Sequence, residues 1–337
     1  MLPLNWRLAT AELIPIADDA QPALVFVDKE FRPAIDAVLA GAAKPFKLVE
    51  FDSSAAGDSG LAAWCGDMPA DDPALPDDPR SIALLMYTSG TTGRAKGVEM
   101  SHQGLDRMRL CESLEPAFQW RADDVLLMVM PNFHLLGTSL PVQSLYNGST
   151  VSVLPILDPG KLLGLIQRDR PTILVLAPAV IQMLLDHPAA KDTDLSSVRL
   201  TMYAGSAINA QLLKRAMLEM KCRFMQFYGA TESLGALTIL RPEQHDLERD
   251  EKLKSCGTTL PLIELKVVDA AGRELPDGEV GEFMVRSPAL FVGYRNEPEA
   301  TAAVLERGWY RTGDACHSQA AVSLSVSMPP RAAPECE

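Results

Sequence analysis

The sequence predicts an α/β protein: a parallel-sheet body with a small antiparallel β subdomain. Three observations predict it. Short β-branched and aliphatic runs alternate with amphipathic segments through the middle of the chain. After about Leu240 that alternation gives way to strand–turn–strand text. The 337 residues are 47% hydrophobic and 22% charged, a balance that supports a sizeable core and about two domains.

Taken in order, residues 1–80 read as a partial first α/β subdomain ending in an exposed connector, since Gly66–Arg80 is crowded with aspartate and proline. Residues 81–250 form the expected body, with strand-like runs Ile82–Tyr87, Val125–Met130, Thr150–Leu154, Thr172–Leu176, Val198–Tyr203 and Arg223–Tyr228. Between them, Asn209–Met220 places Leu212, Leu213, Ala216, Met217 and Met220 on one helical stripe, with Asn209 as N-cap. Pro159–Arg170 and Pro178–His187 each open on a proline, which a first helical turn accepts. Residues 251–314 carry Ile263–Asp269, turns at Ala271-Gly272-Arg273 and Pro276-Asp277-Gly278, then Glu279–Arg286, and read as a small barrel-like sheet. Residues 315–337 show only a weak alternation over Val322–Met328 and are expected to be an unstructured tail.

With 31 basic and 44 acidic residues the net charge is −13, which argues against nucleic acid or an anionic membrane as the main partner. The six cysteines are too scattered for a zinc site or a CxxC redox pair, and fit a reducing compartment. No apolar run approaches a membrane span, and the N-terminus does not read as a signal peptide, so a cytoplasmic protein without a transmembrane segment is expected.

The most informative string is Tyr87-Thr-Ser-Gly-Thr-Thr-Gly-Arg-Ala-Lys-Gly-Val98, directly after an apolar run. Its glycines (Gly90, Gly93, Gly97) let backbone N–H groups converge on an anion. The hydroxyls of Thr88, Ser89, Thr91 and Thr92 donate further bonds, and Arg94 and Lys96 supply charge. Charge-assisted bonds of this kind contribute about 1.5–3 kcal/mol each. The loop suits phosphate, yet it is not a Walker loop: Lys96 follows Ala95 and precedes Gly97.

This string resembles the phosphate-loop signature of the adenylate-forming superfamily: acyl-CoA synthetases, luciferases and peptide-synthetase adenylation domains. Relatives usually carry proline where Ala95 stands, a loss of about 0.4–1 kcal/mol of preorganisation. Further stretches match in the same order. Tyr203-Ala-Gly-Ser-Ala207 resembles the turn bordering adenine, implying Ala204, Gly205 and Ser206 as nucleotide contacts. Gln226-Phe-Tyr-Gly-Ala-Thr-Glu232 resembles the motif whose aromatic (Tyr228) lies on adenine beside Gly229. In that motif the threonine (Thr231) meets the α-phosphate, and the glutamate (Glu232) holds magnesium. Gly281–Arg286, and Gly293-Tyr294 with Pro298–Thr301, match the small-barrel region. Gly308-Trp-Tyr-Arg-Thr-Gly-Asp314 resembles the segment whose aspartate (Asp314) binds the ribose hydroxyls. Pro131-Asn-Phe-His134 resembles the acid-binding region, with Phe133 and His134 beside the substrate carboxyl; His134 also has the plainer reading of a structural histidine.

The resemblance therefore implies ATP and Mg2+, a carboxylic acid substrate and coenzyme A as co-substrate, with Lys96, Thr231, Glu232 and His134 as catalytic residues. His134 offers no counter-charge to an amino group, which disfavours amino acids, and the text of Leu4–Leu8 and Thr238–His245 looks most like fatty-acyl-CoA ligases. A non-catalytic ATP- or acyl-adenylate-binding chain and an aryl-acid ligase stand as alternatives. The likeness runs from about Pro3 to Asp314. Relatives carry more chain before it and a lysine-bearing lid domain after it. The resemblance thus implies a shortened ligase with ATP binding and impaired turnover.

Overall fold

The computed structural model describes residues 1–55, 60–66, 68–69, 71–72, 74, 78–88, 95–319 and 323–327. At its centre is a seven-stranded sheet in the order Thr258–Thr259, Gly235–Leu240, Arg223–Ala230, Leu200–Tyr203, Ile173–Leu176, Val125–Met128, Thr150–Val153. The five strands from Thr150–Val153 to Arg223–Ala230 run parallel, and the last two add antiparallel. Ile173–Leu176 and Leu200–Tyr203 are buried at every position, which is why the first reads as an unbroken apolar run rather than an alternating one; in the second, buried Thr201 lies 3.3 Å from Cys222 Sγ.

Two cores lie on opposite faces of this sheet, and the two-residue period of a strand sorts side chains between them. Leu126, Met128, Ile173, Val175 and Met202 enter one; Leu127, Val129, Leu174, Leu176 and Tyr203 enter the other. Helices Pro159–Asp169, Pro178–Asp186 and Ala210–Met220 cover the second face through Leu162, Ile166, Ile181, Leu184, Leu213 and Ala216. Helices His102–Ser113 and Leu135–Tyr146 contribute Met108, Cys111 and Leu140 to the first. The predicted N-cap is present: Asn209 Oδ1 accepts from the Gln211 amide at 2.8 Å.

The run at 82–87 differs from the expectation of a mostly parallel body. Ile82–Thr88 pairs antiparallel with Lys96–Ser101, whose far edge takes Gly293–Tyr294, in a separate three-stranded sheet. The cause is chain length: the seven residues between Thr88 and Lys96 allow a hairpin return, whereas a parallel pair needs a crossover of about a dozen residues or more. A third sheet joins Glu264–Val268, Gly281–Arg286, Trp309–Gln319 and Leu305–Glu306, all antiparallel. Near the N-terminus, Leu24–Asp28 and Lys47–Phe51 form a parallel pair beside helices Thr10–Ala20 and Arg32–Gly41.

The expected unstructured tail at 315–337 is corrected over its first part. Strand Trp309–Gln319 runs past Asp314, and Ser323–Ser327 returns along its open edge, Ala315 opposite Ser327 and Gln319 opposite Ser323. An edge strand presents unpaired N–H and C=O groups, and the weak alternation near Val322–Met328 supplies a strand that satisfies them. Residues 328–337 lie outside the described residues.

The parallel strands are pinned at their starts by Asp124, 1% exposed in its side chain. It accepts from Arg199 Nε at 2.8 Å and Nη2 at 2.5 Å, from Thr172 Oγ1 at 2.7 Å and from the Arg121 amide at 2.8 Å. One carboxylate thereby ties together the chain ahead of three neighbouring strands. Arg199→Met should leave that carboxylate buried without a counter-charge and lower unfolding stability by about 3 kcal/mol or more, read as a shifted urea midpoint.

Candidate active site

The parallel strands all point their C-terminal ends to one edge, where open α/β sheets place ligands. Three segments of interest leave from that edge. Val125–Met128 leads to Pro131–His134, Leu200–Tyr203 leads to Ala204–Ser206, and Arg223–Ala230 leads to Thr231–Glu232. The register Tyr203 opposite Gln226 carries Ala204–Ser206 out alongside Phe227–Gly229. Gly205 sits at φ +88°, a left-handed turn that suits glycine. Gly229 has a different reason: a Cβ there would lie 2.1 Å from the Gly235 carbonyl oxygen, so the hairpin closes only without a side chain.

Thr231 and Glu232 lie in a single 3-10 turn between the hairpin strands, which reverses through Leu234 at φ 61°. The Glu232 carbonyl accepts from the Phe291 amide at 2.9 Å, and its carboxylate Oε1 accepts from the Tyr294 hydroxyl at 2.8 Å. Tyr294 pairs with Val98, and Lys96, two residues back on that strand, places its Nζ 5.0 Å from the Tyr294 ring centre. The base of the glycine-rich loop and the Thr–Glu turn therefore share one aromatic contact. Thr88 faces Lys96 across the hairpin. Ser89, Gly90, Thr91, Thr92, Gly93 and Arg94 lie outside the described residues.

On the far side, Tyr228 donates its hydroxyl to Asp314 Oδ2 at 2.5 Å and sets its ring edge-on to Phe283, 5.6 Å between centres. Burial, then the neighbouring carboxylates Glu232 and Asp314, push the phenols of Tyr294 and Tyr228 well above their ordinary pKa. Tyr310, 4% exposed, is raised by burial and by Glu232, Tyr294, Tyr228 and Asp314 together. All three phenols are thus neutral at physiological pH, and Tyr228 and Tyr294 act as donors. The structure brings Lys96, Thr231, Glu232, Tyr228 and Asp314 into one linked set.

His134 stands apart, as the extended residue that precedes helix Leu135–Tyr146. Its ring lies 4.8 Å from Phe133, and the Arg7 guanidinium lies 5.6 Å from the Phe133 ring centre. Desolvation and the Arg7 charge lower its pKa, so the imidazole is neutral near pH 7. Sequence reasoning assigned no role to Arg7, Tyr294 or Tyr310. The two tyrosines lie inside strings that were singled out, Gly293-Tyr294 and Gly308–Asp314, and their aromatic character beside Gly was the available signal.

Sheet, cleft edge and linked carboxylates define an α/β protein of the adenylate-forming class. The AMP-binding enzyme family matches residues 1–295, and the chain belongs to that family. It is 34% identical over 318 residues to a fatty acid–[acyl-carrier-protein] ligase, ScoC, from Streptomyces coeruleorubidus, covering 94% of this chain and 60% of that protein. It is also 34% identical over 320 residues to an indoleacetate–CoA ligase from Aromatoleum aromaticum, covering 94% and 61%. Among solved structures, the N-terminal domain of FACL13 from Mycobacterium tuberculosis superposes with a TM-score of 0.84 at 28% identity, over 96% of this chain and 79% of that one. The chain thus spans about 60% of the length of these curated relatives.

The strand leading to Ala204–Ser206 is braced by a buried histidine. His245 Nδ1–H donates to the Arg241 carbonyl at 2.9 Å, leaving Nε2 to accept from the Tyr203 hydroxyl at 3.0 Å. Burial holds this imidazole down at about 4. An unfolded histidine titrates near 6.5, so the unfolded chain takes the proton first on acidification. The contribution should be complete above about pH 6.5 and fall away towards pH 4, by about 3 kcal/mol at most. Urea unfolding between about pH 7 and 4.5 measures it, and His245→Gln should flatten that part of the slope.

Proposed function

We propose that this chain binds ATP and a carboxylic acid and joins them as an acyl-adenylate, the first half of acyl-CoA synthesis. The observation that carries the reading is the linked set in which Tyr294 joins Lys96 to Glu232, with Tyr228 on Asp314 across the same cleft. In this reading a carboxylate oxygen attacks the α-phosphorus, the bond to the bridging oxygen breaks, and pyrophosphate leaves with that electron pair. Lys96 and the loop 88–93 neutralise the phosphates, Thr231 meets the α-phosphate, and Asp314 accepts from the ribose hydroxyls. Ala204, Gly205, Ser206, Tyr228 and Gly229 border the adenine. His134, as a neutral donor, sits at the acid's carboxylate.

Glu232 would hold Mg2+, which supplies charge neutralisation on the phosphates. Among the described residues no group of three or more His, Cys, Asp or Glu is arranged for a metal. One carboxylate completed by phosphates and water fits how magnesium is usually held. The acid is proposed to be a fatty acid, a reading supported by the name of ScoC. The name of the indoleacetate ligase supports an aryl acid as the second reading. Thioester formation with coenzyme A is proposed for the second half. Among the described residues no helix is long and apolar enough to cross a membrane, and a cytoplasmic setting is part of the proposal.

ATP–pyrophosphate exchange across a panel of acids tests the reading: acid-dependent exchange is expected, and none with any acid would overturn it. Lys96→Ala should weaken exchange about tenfold or more through the lost charge-assisted contact. Glu232→Gln should raise the magnesium concentration needed for half-maximal exchange, and an unaltered titration would remove Glu232 from the site.

A further inference from the structure

Helix Thr10–Ala20 ends on Asp18-Asp19-Ala20, with no basic residue in its last turn. Two carboxylates there oppose the negative end of the helix dipole, so the helix itself gains nothing from them. Asp18 serves its neighbourhood: its Oδ1 accepts from the Ala43 amide at 2.6 Å, just past the next helix. Asp19 has partners 68 and 277 residues away.

Asp19 Oδ2 accepts from the Tyr87 hydroxyl at 2.5 Å, and Oδ1 from Asn296 Nδ2 at 2.9 Å. Burial first, then Asp19 itself, raises the Tyr87 phenol, which therefore stays a donor. Tyr87 immediately precedes Thr88 at the foot of the glycine-rich loop and pairs with Gly97 on the returning strand. Its ring lies against that strand: a Cβ on Gly97 would stand 3.0 Å from Tyr87 Cζ. Ile82–Thr88 is an edge strand of its sheet, and the bond to Asp19 ties its loop end to the helix. Asn296 lies two residues past Tyr294, whose hydroxyl binds Glu232 and whose ring receives Lys96. Between them, Arg295 donates its amide to the Gly97 carbonyl at 2.7 Å, Nη1 to Glu99 Oε1 at 3.1 Å and Nε to the Asp19 carbonyl at 3.0 Å. Arg295 thus brings to the helix end the cation its own sequence lacks.

Resting on the ATP-binding reading above, we infer that Asp19 is a positioning residue for the nucleotide: through Tyr87 and Asn296 it fixes where Thr88 and Lys96 stand relative to Glu232. Asp19 itself touches no substrate. The phosphate contacts are divided between two segments, and Asp19 holds one segment on each carboxylate oxygen. A small shift of either segment changes the separation of the Lys96 cation and the Glu232 carboxylate.

Calorimetric binding of ATP with magnesium to the full chain tests this. Asp19→Ala and Tyr87→Phe should each weaken binding about tenfold, and the double variant should be no weaker than Asp19→Ala, because both break the same hydrogen bond. Asp19→Asn keeps an acceptor for the phenol and should recover most of the affinity. In ATP–pyrophosphate exchange, Asp19→Ala and Tyr87→Phe should raise the KM for ATP and leave that for the acid unchanged, a split that general loosening of the fold does not give. Should Asp19→Ala fail to fold, Tyr87→Phe, which removes one oxygen, carries the test. Parent-like ATP affinity in Tyr87→Phe, losses that simply add in the double variant, or an equal rise in both KM values would overturn the inference and leave acid activation standing. A parent chain that binds no ATP would overturn both.

Discussion

The hydrogen bond from Tyr294 to Glu232 joins the two parts of the candidate site across two sheets. Tyr294 belongs to the short strand that closes the edge of the hairpin carrying Lys96, whereas Glu232 belongs to a turn extending from the central sheet. Two sheets that already share the first core are thereby also joined through one phenol, whose ring receives the Lys96 ammonium. The neighbouring Phe291 amide on the Glu232 carbonyl makes the junction two-pronged, fixing the turn's backbone as well as its side chain. A second tie comes from the N-terminal helix. Asp19 accepts from the Tyr87 hydroxyl at 2.5 Å and from Asn296 at 2.9 Å, so the strand before the loop and the residue after Arg295 are anchored to one carboxylate.

That arrangement follows from the way the central sheet buries its strands. With mostly apolar side chains on both faces, the polar groups within the sheet are already paired internally, as Tyr203 is with His245, and the segments able to carry chemistry are those leaving the strand ends. The starts of the strands are occupied by the Asp124–Arg199–Thr172 network, which is closed on itself and structural. The two ends of the same sheet thus divide the work, satisfied charge at one and accessible charge at the other.

How much of this could be read beforehand depends on the range of the interactions. Helix Ala210–Met220 was legible because its stripe and its Asn209 cap are local, and Ile173–Leu176 because two-sided burial leaves a continuous apolar run. Tyr228, Glu232 and Asp314 were legible as motif strings. Their mutual arrangement was not: Tyr294 and Glu232 lie 62 residues apart, Tyr228 and Asp314 86 apart, and no local period records such a pairing. The antiparallel pairing of Ile82–Thr88 was missed because an apolar run has the same appearance in either kind of sheet. The strand at 323–327 was missed because its alternation is weak by itself and gains its stability from the open edge beside it.

The carboxylates of the cleft are held in an unusual way that bears on what they can do. Glu232 and Asp314 accept from phenols, and burial and the carboxylates themselves keep those phenols protonated. A lysine or arginine in the same place would cancel the negative charge and compete with any incoming cation. A neutral donor fixes the oxygen in position and leaves the charge in place. The two carboxylates are held alike. Tyr294 is anchored by its strand and by Phe291, 5.0 Å away between ring centres, and Tyr228 by its strand in the central sheet and by Phe283, 5.6 Å away. Each meets its carboxylate through one hydroxyl. Under the proposed function, the phosphate end and the sugar end of the nucleotide each meet an oxygen already fixed by a phenol.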